Sequence, residues 1–126
     1  MARARFYLPG MLYTKLLEVL LRGMRRAVCD IVLRNDLYPL LDLCCGPGTQ
    51  AGLLGQQGKP VLGLDVNLKM LKYASSRRFQ VPFCCADAAR TPFPAGTFRG
   101  LVVSFALHEK EPAFRANLLK EAMSIL

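Results

Sequence analysis

The chain has 126 residues, is 52% hydrophobic and 21% charged, and carries a formal net charge of +8. That length sets one domain as the expectation, and the hydrophobic share supplies a real core and excludes a disordered chain. No run of about eighteen apolar residues is free of charge, which excludes an apolar helical span, and the N-terminus lacks the apolar core and cleavage site of a secretory signal, so the chain reads as cytoplasmic.

Leu16, Leu17, Leu20, Leu21, Met24, Val28, Ile31 and Val32 recur at helical spacing, with charges on much of the other face. This predicts an amphipathic helix from Tyr13 to about Arg34. The stretch NDLYP stops it, and PLLDLCC then predicts a short buried strand. GPGTQ is too rich in turn formers to continue that strand, so a helix opens at Thr49 and ends near Gly58. PVLGLDV predicts a second buried strand, and NLKMLKYASSRR a helix capped by Asn67. VPFCCADA predicts a third strand, ended by Asp87, and RTPFPAGTF a loop. GLVVSFAL predicts a fourth strand, and the closing helix has Pro112 near its first turn.

Short apolar strands alternating with helices predict an α/β fold: a Rossmann-like, doubly wound, mostly parallel sheet of about four strands with an N-terminal helix. Residues 1–36 form the helical segment and residues 37–126 the core. Ordinary packing of that first helix on the sheet competes with two functional readings. One is a lid carrying Phe6, Tyr7 and Tyr13; the other is a basic amphipathic helix touching an anionic membrane surface.

The five cysteines include two adjacent pairs, Cys44–Cys45 and Cys84–Cys85. An odd count with vicinal pairs is a poor disulfide framework, so reduced thiols are expected. There is no C-x2-C spacing and a single histidine, His108, so no metal site is expected. The basic residues are dispersed apart from RGMRR and Arg77–Arg78, without interleaved aromatics, so nucleic acid is not the expected partner.

In parallel sheets ligands bind outside the carboxyl ends of the strands. There, Gly46-Pro47-Gly48-Thr49-Gln50-Ala51 fits the G-x-G-x-x-A form of a dinucleotide loop, and Asp65 follows near the interval of a ribose-binding acid. A nicotinamide-dependent oxidoreductase is therefore one reading, and glycines serving only a tight turn are another. Asp42, on the strand before the loop, would repel a pyrophosphate and attract a cation. With Asp65 and Asp87 it suits a ligand with a positive centre, a ribose and an adenine, which describes S-adenosylmethionine.

LLDLCCGPGTQAGLL resembles the first motif of the class I S-adenosylmethionine-dependent methyltransferases, and VLGLDVNLKMLKYA their second. FCCADAARTPFPAGTFRGLVVSFALHE resembles the third and fourth. The resemblance is closest to the type 11 group, with its ubiquinone and menaquinone C-methyltransferases. It implies methyl transfer to a small-molecule or lipid-like acceptor. It places Asp42, Gly46 and Gly48 around the methionine part of the cofactor, with Cys44, where many members have glycine, and Thr49 as further cofactor-binding candidates, and Asp65 on the ribose hydroxyls. Val66 and Met70 flank the adenine or pack behind it, Asp87 meets its amino group with Ala88 alongside, and Ser104 and Phe105 line the cofactor near the acceptor side. His108, after the fourth strand, is the candidate base.

The family chain continues into three more strands beyond the last helix. A chain ending at Leu126 reads as truncated, with an apolar sheet edge that a dimer or a complementing chain would cover. A non-catalytic binding module is the alternative on that reading.

Overall fold

The structure is a computed structural model and describes residues 10–56, 58–104 and 110–126. Its elements are α1 (Gly10–Arg34), β1 (Leu40–Leu43), α2 (Thr49–Leu54), β2 (Val61–Asp65), α3 (Leu68–Ser76), β3 (Phe83–Cys85), β4 (Gly100–Val103) and α4 (Pro112–Ile125). The strands form one parallel sheet in the order β3-β2-β1-β4. Leu40 faces Val61 on one side and Gly100 on the other, and Gly63 faces Phe83.

The pleat of β1 divides the core. Leu40 packs with Val32 of α1, Ala51 and Leu54 of α2, Val61 and Val81. Leu41 and Leu43 point the other way, to Leu64, Phe98, and Leu118 and Ile125 of α4. Both layers are apolar because a parallel sheet is covered on both faces. Asp42 is the exception: it shares the α1 side with Leu40 and is 1% exposed.

Helix α1 begins at Gly10, earlier than its apolar pattern suggests. Helix α2 ends at Leu54 rather than near Gly58, because Gly55 caps it through a 3.0 Å hydrogen bond from its N–H to the Ala51 carbonyl. Asn67 caps α3 as expected, its side chain accepting from the Met70 N–H at 3.2 Å, worth about 1 kcal/mol. Strand β3 stops at Cys85, so Asp87 lies past its end, in an isolated antiparallel bridge with Arg90. Phe6, Tyr7 and the side chain of Tyr13 lie outside what the structure describes.

Candidate functional site

The order β3-β2-β1-β4 reverses direction between β1 and β4. There the strand ends, the glycine loop and one side of α1 enclose a cavity of about 500 Å3. Asp42, Cys44, Gly46, Asp65, Val66, Met70, Asp87, Ala88 and Ser104 all line it. Gly48 and Thr49 do not, and Phe105 and His108 lie outside the described residues.

The loop is held open from below. The Asp65 carboxylate accepts from the Gly46 N–H and from the Asn67 N–H, each at 2.8 Å. It thereby fixes the loop after β1 to the start of α3 and keeps lone pairs for a ligand. Cys44, Gly46 and Gly48 have φ of +58°, +53° and +79°, the left-handed region that glycine enters freely and a side chain does not. A Cβ on Gly48 would lie 2.9 Å from the Ala74 Cβ and the Phe83 ring, whereas one on Gly46 would meet nothing within 4 Å. Gly48 therefore serves close packing behind the loop. Thr49 turns away too: its hydroxyl donates to Glu18 and accepts from Arg77, both at 2.6 Å.

Asp42 is the site's charged centre. Neither carboxylate oxygen has a partner in hydrogen-bond geometry, although both are buried. Burial pushes its pKa up to about 7, against the opposing attraction of Arg25 and the Ala51 backbone. Arg25 is itself lowered by burial, with Asp42 and Glu18 opposing. Burial, with Asp65 adding repulsion, pushes the Cys44 thiol up to about 11, so it stays a neutral thiol rather than a nucleophile. Cys45 is also raised, by burial first.

Cys44 and Cys84 pack on the α4 side, Cys45 is buried beside Gly63, and Cys85 is exposed with its thiol on the Val66 carbonyl at 3.6 Å. Among the described residues no group of three or more His, Cys, Asp or Glu side chains is placed to hold a metal.

Sequence reasoning missed the α1 wall, made by Leu17, Glu18, Leu21 and Arg25. Its signal was present: these four fall on one face of the helix, with two charges among the leucines. Gln50 was also missed; it is buried, and its amide donates to the Arg25 carbonyl at 3.2 Å. Lys110 and Phe114 close the far side, the ammonium 5.5 Å from the ring centre. The cavity thus offers a buried carboxyl group on the floor, two further acids at or just past strand ends, and apolar walls. That set suits an uncharged or cationic ligand with a polar, diol-bearing middle better than a pyrophosphate.

A family model described as a methyltransferase domain matches residues 40–126. The demethylmenaquinone methyltransferase of Beutenbergia cavernae is 34% identical over 100 residues, covering 76% of this chain and 42% of the relative. That of Thermus thermophilus is 37% identical over 91 residues, covering 68% of this chain and 41% of the relative. The chain thus spans less than half the length of these relatives. Among solved structures, the PH0226 protein of Pyrococcus horikoshii superimposes with a TM-score of 0.71 at 26% identity, over 83% of this chain and 52% of that one. A SAM-dependent methyltransferase from Archaeoglobus fulgidus does so with a TM-score of 0.66 at 25% identity, over 90% of this chain and 53% of that one. The matched segment carries all four strands and the glycine loop, and the chain belongs to the methyltransferase-domain family.

Proposed function

We propose that the chain binds S-adenosylmethionine in the 500 Å3 cavity and serves methyl transfer to a small, lipid-like acceptor. The observation that carries this reading is Asp42, a buried carboxylate without a hydrogen-bond partner on the cavity floor. A carboxylate is left so only at a cost, which a cationic ligand group removes.

The cofactor supplies a methyl group already activated on a sulfonium. The residues here supply position and dryness. Asp42 and the Gly46 backbone hold the methionine part. Asp65, fixed by two backbone N–H groups, accepts from the ribose hydroxyls. Val66 and Met70 flank the adenine, and Asp87 accepts from its amino group beside Ala88. Ser104 and Phe105 face the acceptor. His108, four residues past Ser104, takes up the proton that the acceptor releases as it becomes a nucleophile. Residues 1–36 act as a lid, of which α1 is already a wall of the cavity. The demethylmenaquinone methyltransferases among the relatives support a quinone-like acceptor.

Calorimetric titration of the chain with S-adenosylhomocysteine, with NAD as control, tests the reading. The expected result is a dissociation constant on the order of micromolar for the former and none measurable for NAD. A chain that melts cooperatively yet binds only NAD, or neither, overturns it. In a turnover assay with a quinone-like acceptor, His108→Ala is expected to lose methyl transfer while keeping S-adenosylhomocysteine affinity. Unchanged turnover removes the histidine from its role.

A further inference from the structure

Helix α1 is apolar on two sides. Leu17, Leu21, Val28 and Val32 face the cavity or the core. Adjoining that side around the helix, Leu12, Leu16, Val19, Leu20, Met24 and Ile31 are all exposed, Leu20 at 69% and Val19 at 60%. At 3.6 residues per turn these six fall within an arc of about 140°. Lys15, Arg22 and Arg26, all exposed, run along one border of that arc. Of the helix's two acids, Glu18 is turned inward to Arg77, and Asp30, exposed, lies with Arg34 inside the same arc at the C-terminal end of the stripe, leaving its Leu12–Met24 portion free of charge.

We infer that this outward face of α1 docks on an anionic lipid surface. A basic border beside a bare apolar stripe is the pattern by which a helix lies in the plane of a bilayer, apolar side chains sunk below the headgroups and cations among the phosphates. The helix lies on the surface and does not cross: no described helix is long and apolar enough to span. A second copy fits less well, because two such stripes facing each other bring like charges together. Leu17 and Leu21, on the adjoining side of the same helix, place the cavity wall within one helix diameter, ~10 Å, of the docked surface.

Vesicle co-sedimentation tests this, with phosphatidylcholine alone against an equimolar mixture with phosphatidylglycerol. The expected result is binding to the mixed vesicles at least about tenfold tighter than to neutral ones, weakening with salt. The double variant Leu20→Glu, Met24→Glu is expected to lose it. Met123→Glu, an exposed apolar residue on α4, is expected to keep it. Should the double variant fail to fold, Arg22→Glu with Arg26→Glu leaves the stripe intact and is expected to abolish the preference for anionic vesicles. Equal binding to both vesicles, no binding, or binding untouched by the α1 variants overturns the inference. So does a dimer in sedimentation equilibrium that these variants dissolve, which would seat a second copy on the stripe.

Discussion

Asp42 stands where the pleat of β1 calls for an apolar residue, and the fold holds its proton more tightly than an open chain does. Its pKa moves from an ordinary 3.8 to about 7, first by burial. The sign follows from linkage. This side chain's contribution to stability is fully present below the unfolded value of 3.8 and is lost as pH rises through about 7. A ligand ammonium needs the ionised form, so binding and deprotonation are coupled. S-adenosylhomocysteine is expected to bind about tenfold more weakly at pH 6 than at pH 8, because the competent fraction falls by that factor around a pKa of about 7. Calorimetry across that range, repeated in buffers of different ionisation enthalpy, checks the proton release. Asp42→Asn is expected to bind weakly with no such slope. The two glycines separate in the same way. Gly46→Ala meets no atom and costs about 1 kcal/mol for its left-handed backbone, whereas Gly48→Ala adds collisions with Ala74 and Phe83 and costs about 2 to 4 kcal/mol. Urea unfolding of the pair checks the difference.

The next scale up is set by how α1 is fastened. Arg77, at the end of α3, pairs with Glu18 of α1, donates to Thr49 of α2 and to the Pro47 carbonyl at 3.1 Å, and lies over the Phe79 ring at 4.7 Å. One guanidinium therefore joins three helices around the loop, a task for its planar fork of donors rather than for a point charge. Arg77→Ala is expected to destabilise by about 1 to 3 kcal/mol, and Arg77→Lys to recover little of it. Hydrogen exchange is expected to rise around Glu18 and at the loop while β1 stays protected, which distinguishes a loosened α1 from global unfolding. Little of this was legible beforehand. The strands were, because LLDL, VLGLD and GLVV are apolar runs bounded by turn formers, and so were the strand-end acids. Periodicity also located the apolar side of α1, but it says nothing of what that side meets. Arg77 read as one base in a dispersed set because its polar partners on the other helices are distant in sequence: Thr49 by hydrogen bond at a separation of 28, Glu18 by charge at 59.

For the molecule as a whole, one strand joins two cores. β1 gives Leu40 to the layer of α1 and α2, and Leu41 and Leu43 to the layer of α4, and its end becomes the cavity floor. This was legible as a class of fold from alternating strands and helices. The strand order was not, since register depends on pairing between distant segments. The fastening of α1 bears on time as well as on affinity. If α1 acts as the proposed lid, a bound molecule leaves when that wall parts, and the residence time of the ligand is expected to follow the opening free energy of the helix. Each 1.4 kcal/mol taken from the Arg77 junction is then expected to shorten that lifetime about tenfold, which would make the helix the clock of ligand exchange.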